Sequence, residues 1–107
     1  MEINRFEVWL IALDPTKGKE MTKTRPCLVI SPNEVNQNLY TPIVAPMTTV
    51  VHQYPSRIIC RFQNVKGEVA LDQMRAADTS RFRTKLGVMD EATCRKVADT
   101  LVAMFEY

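Results

Sequence analysis

Residues 6–13, FEVWLIAL, run almost without interruption through apolar, β-forming side chains. That is the pattern of a strand buried on both faces. PCLVIS (26–31) predicts a second strand, with Pro26 at its first position, where a missing N–H costs little. TPIVAPMTTVV (41–51) predicts a third, in which Pro46 demands an edge or a bulge. SRIICRF (56–62) reads as a fourth strand, QNVKG as a turn, EVALDQMRAA (68–77) as a fifth strand and TKLGVM (84–89) as a short sixth. Between the first two strands the polar stretch DPTKGKEMTKTR (14–25) carries Pro15, Gly18 and four cations, the chemistry of a long surface loop. PNEVNQN (32–38) is turn chemistry or one short helical turn.

After Asp90 the period changes. Cys94, Val97, Ala98, Leu101, Met104 and Phe105 fall on one face of a helix. Asp90 suits the N-cap, Glu91 suits the first turn, and Met89 is placed to staple onto Cys94. By pattern, Phe6, Trp9, Phe62 and Phe105 belong to the core. Strands first and one amphipathic helix last predict a small antiparallel barrel or curled sheet closed by a helix. No repeat, linker or internal boundary divides residues 1–107, so a single domain is expected.

Composition narrows the class. Apolar residues at 46% and charged residues at 24% are globular values and exclude a disordered chain. Fourteen Lys and Arg against twelve Asp and Glu leave only +2, so overall charge does not announce a nucleic-acid binder. No run approaches the roughly 20 apolar residues of a membrane span, and MEINRFE does not open like a secretory signal. Cys27, Cys60 and Cys94 are odd in number, far apart and without a CxxC pair. They argue against a disulfide framework or zinc site and for a reducing cytosol.

Nucleotide-cradling GxxxxGK[ST], GxGxxG and the zinc motif HExxH are all missing. His52 is the only histidine, and no GxSxG elbow accompanies it, so a nucleophile triad is not expected. The positive signal lies in Lys17, Lys19, Lys23 and Arg25, tempered by Asp14 and Glu20. Taken by composition, this is a solvated loop. Arg25, however, directly precedes the strand PCLVIS, where a guanidinium fork held by the sheet suits a phosphate. Thr48 and Thr49 place two hydroxyls at the end of the strand that Pro46 distorts, although threonines there also serve simply as β-formers.

The run VWLIALDPTKGKEMTKTRPCLVIS, followed by IVAPMTT and then by VALDQMRAAD, resembles the MazF/PemK family of toxin endoribonucleases over nearly the whole chain. The resemblance implies a mainly β fold, a small SH3-like antiparallel β-barrel of the MazF/CcdB/Kid type closed by a C-terminal α-helix. It also implies sequence-specific cleavage of single-stranded RNA, especially mRNA, without a metal or other cofactor, giving 2′,3′-cyclic phosphate and 5′-hydroxyl ends. The family's catalytic arginine falls on Arg25, its catalytic threonine on Thr48 and its acidic loop residue on Glu20. Lys17, Lys23, Thr49, His52 and Gln73 match as RNA contacts. The PemK branch uses an aspartate that falls on Asp72, with an arginine two residues earlier. This chain has Ala70 there, so Asp72 is expected to be a buried structural carboxylate. The implied partners are a second copy of the chain, a cognate antitoxin with an acidic C-terminal segment, and operator DNA reached only through the antitoxin complex; no membrane is involved.

Such chemistry needs no protein nucleophile, because the substrate's own 2′-hydroxyl attacks. The protein must align that oxygen and stabilise charge on the phosphorane. Guanidinium keeps its proton at physiological pH, which makes arginine a poor base. The 2′-proton is therefore left to Glu20, to an Arg25-assisted transfer or to water. Tyr40 and Tyr54 flank the third strand, where they could stack bases or simply pack. Two rival readings remain: a gyrase-poisoning toxin of the same fold, and an inactive barrel serving as an interaction or autoregulatory module. The first depends on a Trp-Gly-Ile end where this chain reads MFEY, and the second on losing Arg25 or Thr48, both of which are kept.

Overall fold

The computed structural model describes residues 1–13 and 24–107. Its elements are β1 (Glu7–Ala12), β2 (Thr24–Val29), a short α1 (Asn33–Asn38), β3 (Ile43–Thr48), β4 (Arg57–Phe62), β5 (Val65–Ala70), β6 (Arg75–Ala76), β7 (Phe82–Val88) and α2 (Glu91–Phe105). The strands form one antiparallel sheet in the order β4-β5-β3-β2-β1-β7, with β6 added to β3.

β1 is buried on both faces, as its unbroken apolar run requires. Val8 points into a core with Leu28, Val69, Leu71 and Val97, under α2. Trp9 and Ile11 point into a second core with Cys27, Val29, Val44 and Phe82. Glu7 is buried in the same strand because it accepts from the Trp9 indole at 2.8 Å and pairs with Lys85 at 3.0 Å.

Pro46 is accommodated differently from the expectation. β3 is interior, flanked by β2 on one side and by β6 and β5 on the other. On that second side β6 pairs with Ile43 and Val44, and β5 pairs with Met47 and Thr48. Pro46 falls between the two partners, where a missing N–H breaks no rung. The stretch 68–77 is likewise not one strand. β5 begins earlier, after a two-residue turn at Gln63 and Asn64, both in left-handed conformation (φ 51° and 67°). It ends at Ala70, and a 3-10 turn over Leu71–Gln73 carries the chain to β6.

Among the described residues no ladder joins β4 to β7, so the sheet curls without closing into a barrel. The tip of the β4–β5 hairpin reaches across that seam. The Gln63 side-chain amide donates to the Leu86 carbonyl at 2.8 Å, and the Phe62 ring lies against Gly87.

α2 starts where its sequence predicts, with the Asp90 carboxylate accepting from the Thr93 N–H at 3.0 Å. Thr93, Cys94 and Val97 are buried, and Leu101 and Met104 pack on the same core. Phe105, expected inside, is 68% exposed: it closes the helix on the flank of the apolar stripe. All three cysteines are buried free thiols. Burial pushes the Cys27 thiol up to about 12, against the opposing pull of Arg25 and Arg75.

Candidate active site

Strand register brings the two leading candidates together. The β2–β3 ladder pairs Val29 with Val44, Leu28 with Ala45 and Cys27 with Pro46. Continued by two residues, it sets Arg25 opposite Thr48. The Ile30 N–H donates to the Ile43 carbonyl at 2.9 Å. The ladder itself ends at Cys27 and Pro46; carried two residues further, its alternation puts Arg25 and Thr48 at a non-hydrogen-bonded position. Both side chains are half-buried and line an open groove of about 630 Å³ with Thr49, Phe62, Gln63, Val65, Lys66 and Leu86.

The two side chains are differently prepared. Among the described residues, the Arg25 guanidinium makes no hydrogen bond or ion pair, so its donor fork is unengaged. Thr48 Oγ1 accepts from the Val50 N–H at 3.1 Å. With one lone pair occupied in that way, the hydroxyl hydrogen is left for an acceptor in the groove. Gly67 lets the neighbouring strand approach, since a methyl there would run into the Thr48 carbonyl oxygen. Gly67→Ala should displace Thr48, lower any activity of the groove at least ten-fold and cost on the order of 1–3 kcal/mol. Paired turnover and chemical-denaturation measurements check both effects.

Thr48 also pairs with Glu68 on β5, which opens a second cluster missed by the sequence reading. Glu68 is fully buried. It pairs with Arg57 at 2.7 Å and with the His52 ring at 3.0 Å, and accepts the His52 N–H at 3.0 Å. Arg57 turns its other edge to Asp72, with Nε on Oδ1 at 2.6 Å and Nη2 on Oδ2 at 3.2 Å. The register sets Arg57 directly opposite Ala70. An arginine thus reaches Asp72 from the strand adjacent to Ala70. Asp72 itself is not buried: its side chain is 37% exposed and held by Arg57 and Ser56. The signal for this cluster was Glu68, a lone charge in the apolar stretch GEVAL.

Burial alone would raise the Glu68 pKa, but hydrogen bonds from His52, Arg57 and Gln53 outweigh it and hold the carboxyl at about 2. Asp72 is held at about 2, chiefly by its hydrogen bonds from Arg57. The Arg57 guanidinium is driven further above its ordinary value by the same two carboxylates. Neither acid is a proton donor near neutral pH. Both folded values lie below the ordinary carboxylate range of about 4. Their contribution to stability is therefore complete above about pH 5 and is lost as the pH falls towards 2. Glu68→Gln should flatten the acid side of the melting-temperature profile between pH 5 and 2, read by thermal melts.

The remaining predicted residues divide. Thr49 lines the groove, whereas His52 and Gln73 lie with the Glu68–Arg57–Asp72 cluster beside it, Gln73 exposed on the 3-10 turn. Lys17, Lys19, Glu20 and Lys23 lie outside the described residues. Lys66, not singled out in the sequence, adds a cation to the groove wall.

The profile of the PemK-like, MazF-like toxins of type II toxin–antitoxin systems matches residues 4–105. The chain belongs to this family. Within it, the chain is 32% identical over 83 residues to the endoribonuclease toxin MazF of Escherichia coli K12, covering 77% of this chain and 74% of that protein. It is 42% identical to the endoribonuclease PemK of Escherichia coli over 48 residues, 45% of this chain and only 36% of that protein's length. The fold matches the crystal structure of MazE–MazF from Deinococcus radiodurans with a TM-score of 0.82 at 23% identity, covering 97% of this chain and 96% of that one. The mainly β sheet with a C-terminal helix is thus the MazF fold, with no ladder between β4 and β7 among the described residues.

Proposed function

We propose that this PemK/MazF-family chain is a sequence-specific endoribonuclease toxin that cleaves single-stranded RNA in the groove between β2, β3 and the β4–β5 hairpin. The observation that carries the reading is that the Arg25 fork, unengaged among the described residues, and the Thr48 hydroxyl line the same groove. The scissile phosphate lies against both. Arg25 donates two parallel N–H groups to its non-bridging oxygens, and Thr48 donates a third hydrogen bond. As the 2′-oxygen attacks phosphorus, charge builds on those oxygens, and donors already in place stabilise it without reorganising. The P–O5′ bond breaks and the departing 5′-oxygen takes a proton from water in the open groove, leaving a 2′,3′-cyclic phosphate and a 5′-hydroxyl. No step calls for a metal or cofactor.

Glu20 takes the 2′-proton. Glu20→Gln should remove the acidic limb of the pH–rate profile while leaving binding of a 2′-deoxy substrate intact; an unchanged limb would exclude Glu20. Lys17 and Lys23 meet flanking phosphates, and Thr49, His52 and Gln73 contact the nucleotides beside the cut. Bases must be unstacked to be read, so duplex RNA is not a substrate.

As in the Deinococcus MazE–MazF complex, an antitoxin partner is proposed for this chain. Its acidic C-terminal segment would lie in the groove and set carboxylates against Arg25. The 107 residues act as one domain and as a homodimer, burying exposed strand side chains such as Val88 between copies. Operator DNA is reached only through the antitoxin complex. Action in the cytoplasm belongs to the same proposal; among the described residues no helix is long and apolar enough to cross a membrane. The test of the reaction is a 2′-deoxy substitution at the cleaved nucleotide, which should abolish cutting there because the nucleophile is gone. Cleavage that persists would overturn it.

A further inference from the structure

The cluster beside Thr48 ends in two exposed aromatic rings. The His52 imidazole stacks on the Tyr54 ring, with centroids 5.3 Å apart and planes inclined by 26°. The His52 side chain is 39% exposed and Tyr54 is 53% exposed. The Arg57 guanidinium lies 5.3 Å from the Tyr54 centroid and supports it by a cation–π contact. Arg57 is in turn fixed between Glu68 and Asp72, and Glu68 also holds the His52 ring and its backbone N–H. Glu68 is held jointly by Arg57 at 2.7 Å and by the His52 ring at 3.0 Å, so the buried charge pair also fixes the imidazole. What the cluster adds is a pair of aromatic faces held in one orientation on an otherwise polar turn.

We propose that the His52–Tyr54 pair is a stacking platform for one unpaired RNA base next to the cleaved phosphate, with Arg57 as its positioning residue. The inference rests on the endoribonuclease reading of the same groove. Thr48 and Glu68 are cross-strand partners, and Glu68 carries the His52 ring, so only one side chain separates the platform from the reacting phosphate. Every base offers a π face, and bases of single-stranded RNA are free to splay onto such a surface. A platform already ordered by buried charge pairs gives up little conformational freedom when the base arrives. Aromatic faces point to a base as the occupant; the phosphates are left to Arg25 and the lysines.

The experiment uses the full chain and an RNA whose cut site has been mapped, made uncleavable by 2′-deoxy substitution at that nucleotide. Abasic replacements are placed one at a time on either side of the cut, and affinity is measured for wild type, His52→Ala and Tyr54→Ala. Wild type should lose on the order of ten-fold or more in affinity at one flanking position. The two alanine variants should bind the intact RNA more weakly by a similar factor and lose nothing further at that position. His52→Phe and Tyr54→Phe, which keep a ring, should restore what the alanines lose, and in the cleavable RNA the alanine defect should fall on KM rather than kcat. Three outcomes would overturn the platform while leaving the nuclease reading in place. They are alanine variants that bind as wild type, penalties that add at every abasic position, and a His52→Phe variant whose kcat collapses, which would make the imidazole a chemical group. Wild type that neither binds nor cuts RNA would instead remove the nuclease reading and the platform with it.

Discussion

Arg25→Ala and Thr48→Ala should each slow RNA cleavage by roughly 10²–10³ while leaving the melting temperature nearly unchanged. Loss of one preorganised donor to a developing oxyanion costs about 3–4 kcal/mol in the transition state, which sets that range. The fold should tolerate both changes. Arg25 makes no pairing among the described residues, and the one hydrogen bond at the Thr48 hydroxyl is to the exposed Val50 N–H. Arg25→Lys should remain poor, since an ammonium is a point charge and cannot present two parallel N–H groups to one phosphate. The measurement is single-turnover cleavage of end-labelled RNA alongside a thermal melt. Near wild-type rates in either alanine variant would show that the reacting phosphate lies elsewhere.

The second large effect is on stability. Arg57→Ala should destabilise the chain by about 3–5 kcal/mol, because it leaves the fully buried Glu68 carboxylate without its guanidinium partner. For a chain of this size that corresponds to a fall on the order of 20 °C in Tm. The exposed half of the network contributes little of this, since Asp72 is 37% exposed and screened by water. Asp72→Asn should accordingly cost far less than Arg57→Ala, and urea titration of the two variants measures the difference. Equal losses would mean that the exposed Asp72 pairing, rather than the Glu68 one, anchors Arg57.

Most of the fold was legible because buried strands and an amphipathic helix write their periods directly into the chain. β1, β2, β4 and α2 fall within a residue or two of where the apolar pattern puts them. The pattern failed where a strand changes partner. Pro46 announced a break in pairing, but only the fold reveals that the break lies between β6 and β5 rather than at an edge. The run at 68–77 looked continuous because the 3-10 turn over Leu71–Gln73 keeps Leu71 buried and so preserves the apolar pattern. Phe105 satisfied the helical period and still faces outward, since a period cannot say where the opposing core stops.

At the candidate site, Arg25 and Thr48 were named from the motif, and the fold sets both on the wall of one groove. Arg57 was not readable. Its pairing with Glu68 and Asp72 spans 11 and 15 residues and depends on which strands lie side by side. The expectation that Asp72 is a buried carboxylate failed for the same reason, since the partner that holds it at the surface comes from the neighbouring strand.

The most direct measurement is the cleavage of end-labelled single-stranded RNA by the purified chain in excess EDTA, with the chemical ends of both products determined. Cutting is expected at a short recurrent motif, undiminished by the chelator, with 2′,3′-cyclic phosphate on one product and 5′-hydroxyl on the other. Cleavage that stops when divalent ions are removed, or that leaves a 5′-phosphate, would contradict the proposed reaction.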